Sequence, residues 1–204
     1  MHPEALGIEA GEKAPDAELR DADNKAISLS TLWGQTDVLL VFYRGGWCPY
    51  CNYQLRQLSI HFVEFQSRKV VPVAVSVDRP SEALKTRRSY EIPFPVLSDP
   101  QLVAVKAFHV LRPIDADEYH AMLNNGVDLQ RRTGNQEHAI AVPSMFLIDT
   151  DGVVRWSHVD PDYKARPSVE QLTPILDRLL KEIRPKVPLK PDRKPAMKAP
   201  AAPR

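Results

Sequence analysis

The sequence predicts an α/β fold with a central mixed β-sheet flanked by helices. Three observations carry this. Residues 38–43 read VLLVFY, a continuous apolar run of strand length, as in a strand buried on both faces. Residues 70–77, VVPVAVSV, give a second such run. Between them Leu55, Leu58, Phe62 and Phe65 follow at spacings of 3, 4 and 3, one face of a helix over about residues 49–68. Strand, helix and strand make a β-α-β unit, almost always right-handed. Third, residues 144–159 hold two apolar runs around Thr150-Asp151-Gly152, which reads as an antiparallel hairpin.

The other elements follow in order. Residues 24–32 offer an N-terminal strand. Asp78-Arg79-Pro80-Ser81 opens a helix that runs to about residue 90. Asp99-Pro100 sets an N-cap type before a proline at the first helical position, opening a helix through Phe108. Residues 111–138 are polar and irregular, with a short helix near 117–124, and are long enough for a connection that covers a site. Ser168 with Gln171 is a capping box. The helix behind it carries Leu172, Ile175, Leu176, Leu179 and Leu180 on one face and ends near residue 184.

Composition narrows the function. The chain has 204 residues, 43% hydrophobic and 26% charged, ordinary for one globular domain. A formal net charge of +1 argues against a general nucleic-acid binder. No run of eighteen apolar residues exists, so no membrane span is expected. Residues 1–12 lack a basic segment followed by an apolar one, which sets a cytoplasmic expectation. Six of the nineteen prolines fall in the last twenty residues, among six basic residues and one acid. Such a stretch buries too little surface to offset its ordering entropy. The expectation is one domain over residues 1–184 and a disordered Pro/Lys-rich tail over 185–204.

The two cysteines exclude a disulfide-rich scaffold. Both lie in Trp47-Cys48-Pro49-Tyr50-Cys51, after a buried strand and before a long helix. The first helical turn leaves N–H groups unpaired and carries about half a positive charge, and both effects favour a thiolate. Thiols at i and i+3 on that turn can close into a disulfide. A zinc site would need two further ligands, and the six histidines show no paired spacing. Redox chemistry is the stronger reading of the motif.

On these residues the chain resembles the peroxiredoxin-like branch of the alkyl hydroperoxide reductase/thiol-specific antioxidant (AhpC/TSA) family, within the thioredoxin-like superfamily. The resemblance covers about residues 8–182. It rests on GEKAPDAELRDADNKAISLSTLWG, VLLVFYRGGWCPYCNYQLRQL, VVPVAVSVDRP with PFPVLSDP, and VPSMFLIDTDGVVRWSHVDPDY. It implies a thioredoxin-like fold with an N-terminal extension and a thiol-dependent antioxidant enzyme. It implies no metal or organic cofactor. A peroxide or disulfide would be the substrate and an external dithiol, thioredoxin, the reductant; a homodimer is compatible with it.

The family motif Pro-x-x-x-Thr/Ser-x-x-Cys places the attacking cysteine at Cys51, with Cys48 at the Thr/Ser position and Arg44 at the proline. The arginine of typical members, just before the FLID strand, is replaced by Pro143. Arg44 is then the candidate cation beside the thiolate, or a surface loop charge. Trp47, Cys48 and Cys51 with Val142-Pro143 also resemble the thioredoxin site, where a cis-proline faces the dithiol; the alternative is a proline that simply begins a strand. Trp47 and Tyr50 would shape an apolar rim, or merely pack. Two mechanisms compete. In a peroxidase, Cys51 attacks and Cys48 resolves; in a disulfide reductase, Cys48 attacks and Cys51 resolves. A non-enzymatic redox switch is the third reading.

Overall fold

The computed structural model describes residues 6–34 and 36–183. The tail expected over residues 185–204 lies outside the described residues. In chain order the elements are β1 (Glu18–Arg20), β2 (Ala26–Ser28), β3 (Asp37–Phe42), α1 (Pro49–Ile60), α2 (Phe62–Ser67), β4 (Val70–Ser76), α3 (Pro80–Ser89) and β5 (Val96–Ser98). They continue with α4 (Val103–Ala107), β6 (Leu111–Pro113), α5 (Ala116–Asn124), α6 (Leu129–Thr133), β7 (Ala139–Ala141), β8 (Ser144–Ile148), β9 (Val154–Val159) and α7 (Val169–Ile183). Seven strands form one sheet in the order β2-β1-β5-β4-β3-β8-β9. Strands β3, β4 and β5 are parallel, and β8 joins β3 antiparallel, so the sheet is mixed.

Alternation along the central strands assigns the two faces. Val38, Leu40 and Phe42 of β3 point into a core shared with Val105 of α4 and Phe146 of β8. Leu39, Val41 and the following Tyr43 point the other way, toward Leu55 of α1, Ala83 of α3 and Leu172 and Leu176 of α7. Helices therefore cover both faces, and the apolar runs read as buried strands are buried on both sides.

Four expectations are refined. The helix over 49–68 is broken at His61 into α1 and α2, and the break lets Phe62 reach Phe94, 5.9 Å between ring centroids. The helix expected from Pro100 begins only at Val103, because Leu102 adopts a left-handed conformation. Asp99 still caps it, accepting from the Val103 and Val105 amides. The strand expected within 24–32 is the short β2, followed by a single 3₁₀ turn over Leu29–Thr31. The 111–138 segment is not merely irregular: β6 pairs with β7, and α5 and α6 lie between them. At α7 the capping box forms as expected, with the Ser168 amide donating to Gln171 Oε1 at 2.9 Å.

Candidate active site

The site is built where β3 ends. The chain leaves the sheet at Tyr43, whose amide still donates to Val75, and turns through Arg44-Gly45-Gly46-Trp47 into α1. Gly45 has φ of 149°, and a Cβ there would strike the Trp47 indole nitrogen. A Cβ on Gly46 would strike the Thr86 hydroxyl. The two glycines thus let the loop pass close beneath Trp47 and against α3. Cys48 is the N-cap residue of α1, Pro49 occupies its first turn, and Cys51 follows on that turn. Proline at this position costs no hydrogen bond, because the first-turn amides have no helical acceptor.

Both cysteines are reduced and buried, Cys48 at 1% and Cys51 at 0% exposure. They share a hydrogen bond, which moves the two thiols in opposite directions. The Cys48 thiol is lowered to about 6 by its hydrogen bond with Cys51, against burial, and with help from the Cys51 amide and the Arg166 and Arg44 guanidinium groups. The Cys51 thiol is pushed well up by burial and by the same hydrogen bond, with Arg166 and the Arg44 amide pulling the other way. The first proton therefore leaves from Cys48, while Cys51 keeps its proton and sits among cationic and N–H groups.

Arg166 is the residue that sequence reasoning missed. Its Nη2 donates to Cys51 Sγ at 3.2 Å, its Nη1 to Gln54 Oε1 at 2.7 Å and its Nε to the Tyr163 carbonyl at 2.8 Å. Three anchors hold the planar fork in one orientation. It arrives from the segment between β9 and α7, which has no periodicity to signal it. The one usable signal was the adjoining Asp160-Pro161-Asp162-Tyr163, similar to a family stretch but with no role attached.

The sequence-derived residues fall around the same dithiol in different ways. Arg44 is not a surface loop charge: its guanidinium stacks on Trp47 at 4.8 Å and on Tyr163 at 4.5 Å, with Glu118 of α5 at 4.0 Å. Glu118 is itself gripped by Arg112, whose fork holds its carboxyl below the usual range. The 111–138 segment so reaches the rim of the site through Glu118, while the 160–168 segment reaches Cys51 through Arg166. Trp47 is partly buried against the core and is one of the two rings that hold Arg44. Tyr50 packs edge-on against Tyr163 at 5.5 Å. Pro143 corrects an expectation: no described peptide bond is cis, and Pro143 is a trans proline just before β8. It lines a cavity of about 260 Å³ with Arg44, Val142, Pro161 and Tyr163. A larger cavity of about 480 Å³ opens beside Arg166 and Gln54 and is walled by Tyr50, Tyr53, Leu58 and Val169.

A reduced dithiol on the first turn of a helix, backed by a guanidinium and set at the end of an interior strand of a mixed sheet of thioredoxin type, defines a thiol-dependent oxidoreductase. Comparison with known proteins agrees. The AhpC/TSA family profile matches residues 10–157, and the chain belongs to that family. Alkyl hydroperoxide reductase E of Mycobacterium tuberculosis is 26% identical over 154 residues, 74% of this chain and 86% of the relative. The thiol-disulfide oxidoreductase ResA of Bacillus subtilis is 34% identical over 104 residues, which is 50% of this chain and 57% of ResA. Among solved structures, peroxidoxin BcpB of Mycobacterium tuberculosis superposes with a TM-score of 0.67 at 21% identity, over 87% of this chain and 99% of that one. Arg166 lies beyond the matched stretch.

Proposed function

We propose that this protein reduces hydrogen peroxide or alkyl hydroperoxides through a Cys48–Cys51 dithiol/disulfide cycle, with Cys51 as the attacking sulfur. The observation that carries this reading is the Arg166 contact. A guanidinium 3.2 Å from Cys51 Sγ stabilises negative charge on that sulfur and on an oxygen leaving from it. It supplies from the 160–168 segment the cation that the sequence lacks at Pro143. Arg44, held between two rings, contributes a second positive charge and its backbone N–H.

The cycle follows from the shared proton. The Cys48 thiolate accepts the Cys51 proton as Cys51 Sγ attacks the terminal peroxide oxygen. The O–O bond breaks, and the leaving alkoxide takes the proton from Cys48. Cys51 is then a sulfenic acid and Cys48 again a thiolate. Attack by Cys48 on the Cys51 sulfur forms the disulfide and expels hydroxide, which is protonated to water. Two electrons pass from the sulfurs to the O–O bond. An external dithiol, thioredoxin by family resemblance, returns them. The apolar wall of Tyr50, Tyr53, Leu58 and Val169 beside Arg166 suits the tail of an alkyl hydroperoxide. We place the reaction in the cytoplasm; among the described residues no helix is long and apolar enough to cross a membrane.

Stopped-flow tryptophan fluorescence of the reduced protein mixed with hydrogen peroxide tests the reading. Oxidation far faster than that of a free thiolate is expected, and a rate no faster would overturn it. The rate is expected to rise with pH through about 6, as Cys48 becomes the thiolate base, and then to level off. A second reading, protein disulfide reduction with Cys48 as nucleophile, is favoured by the lowered Cys48 thiol itself. Insulin reduction that disappears in Cys48→Ser, together with slow peroxide oxidation, would select it.

A further inference from the structure

The stretch Asp160-Pro161-Asp162-Tyr163 leads from β9 toward α7, and the cycle above gives its tyrosine ring no part. Its shape is fixed locally. The Asp162 amide donates to Asp160 Oδ1 at 2.8 Å, and the Lys164 amide donates to Asp162 Oδ1 at 3.0 Å. Each aspartate side chain thus closes a turn onto the amide two residues on. The Ala165 amide donates to the Asp162 carbonyl at 2.9 Å, and the Ala165 carbonyl meets His158 Nε2 of β9 at 3.3 Å. The large side chain that these turns present is Tyr163, which is half-buried.

Tyr163 meets both cations of the site. The Arg44 guanidinium lies 4.5 Å from the centre of its ring, and its backbone carbonyl accepts from Arg166 Nε at 2.8 Å. The ring also packs edge-on against Tyr50, with centroids 5.5 Å apart and planes at 80°, and it carries Lys164 Nζ at 5.6 Å. Arg44 in turn lies 4.8 Å from the Trp47 ring. The stack Trp47, Arg44, Tyr163, Tyr50 therefore starts and ends on the motif Trp47-Cys48-Pro49-Tyr50-Cys51. Arg44 depends on that stack. Its Nε is buried with no hydrogen-bond partner. The carboxylate beside it, Glu118, stands 4.0 Å away and is already held by both Nη atoms of Arg112, at 2.8 and 2.6 Å. Stacking on two rings is what orients the guanidinium. Trp47 shares the loop of Arg44, whereas Tyr163 belongs to the segment that brings in Arg166.

The geometry points to Tyr163 as a positioning residue, whose ring closes the stack and so holds the Arg44 charge beside the dithiol in register with Arg166. The kinetic part of the inference rests on the peroxide reaction proposed above. The electrostatic part does not, because a seated Arg44 acts on the reduced pair before any oxidant arrives. Arg44 and Arg166 are the two guanidinium groups that help to lower the Cys48 thiol. Without the Tyr163 ring, Arg44 keeps one stacking face and gains contact with water, which screens its charge.

The test compares Tyr163→Phe and Tyr163→Leu. Two quantities are measured, the plateau rate of oxidation by hydrogen peroxide and the Cys48 thiolate transition, read by ultraviolet absorbance of the reduced protein. Tyr163→Phe keeps the ring and is expected to match the wild type in both. Tyr163→Leu removes the stacking on Arg44 and Tyr50. It is expected to slow the plateau about tenfold, the scale of one partly desolvated cation–π contact. Its Cys48 transition should move upward from about 6. The same substitution made in Arg44→Gln, which has no charge to seat, is expected to change the plateau less than about twofold. If the wild type reacts no faster than a free thiolate, the peroxidase reading fails, while the titration still decides the role of the ring. An unmoved transition in Tyr163→Leu, a Tyr163→Phe protein as impaired as Tyr163→Leu, or a tenfold loss retained in Arg44→Gln would overturn the assignment.

Discussion

The Cys51→Ser protein is expected to consume peroxide only at the rate of the uncatalysed reaction. Serine keeps the size of the side chain and its place on the first turn of α1, but its hydroxyl stays protonated and is a poor nucleophile. The serine hydroxyl can still donate to the neighbouring Cys48, whose thiol is lowered to about 6, but Arg166 Nη2 donates to the sulfur of Cys51 and not to that of Cys48. Even a Cys48 oxidised by chance would have no second sulfur with which to form a disulfide. The check is peroxide consumption under saturating dithiol reductant. Turnover near the wild-type rate would mean that Cys48 carries the reaction alone.

Arg166→Met is expected to slow oxidation by peroxide roughly 10²- to 10³-fold, the usual loss when one preorganised donor to developing negative charge is removed. Methionine keeps the length and the apolar part of the side chain. It removes the donor at 3.2 Å from Cys51 Sγ and the anchor on Gln54. The Cys48 transition should also move upward from about 6, because Arg166 is one of the cations that lower it. Arg166→Lys restores the charge but not the three-point fork, so an intermediate rate is expected. Stopped-flow oxidation across pH separates the two effects: the transition reports the charge, and the plateau rate reports the geometry. An unchanged plateau in Arg166→Met would remove Arg166 from the reaction.

What the sequence disclosed follows how locally each feature is encoded. Strands β3, β4 and β8 are apolar except at one end each, Asp37, Ser76 and Ser144, because both faces are covered, so they stand out in the sequence. The capping box of α7 and the proline at the start of α1 are equally local. Strand β5 is three residues between prolines and exists because β4 pairs beside it. The pairing of β6 with β7 closes over residues 114–138 and leaves no local trace. Within the site, Cys48, Cys51 and Trp47 were legible from one pentapeptide. Arg44 was named as a cation, but its seat between Trp47 and Tyr163 depends on residues more than a hundred positions apart. Arg166 reaches Cys51 across 115 positions of sequence, from a segment without periodicity. The arginine sought before β8 is replaced by Pro143, and a cation reaches the thiol from another part of the chain.

The roles of the two sulfurs are tested most directly by trapping the first oxidised species in Cys48→Ser and Cys51→Ser with a sulfenic-acid reagent and locating it by mass spectrometry. In Cys48→Ser, the hydrogen bond and charge of Cys48 that help hold the Cys51 thiol up are gone, while Arg166 and the Arg44 amide remain. One equivalent of peroxide is expected to convert Cys51 to a sulfenic acid, more slowly than in the wild type because the Cys48 base is gone, and that acid persists, since no resolving thiolate is left. In Cys51→Ser, little adduct should form at Cys48 on that timescale. Rapid sulfenic acid at Cys48 in Cys51→Ser, with none at Cys51 in Cys48→Ser, would contradict the account and reverse the roles of the pair.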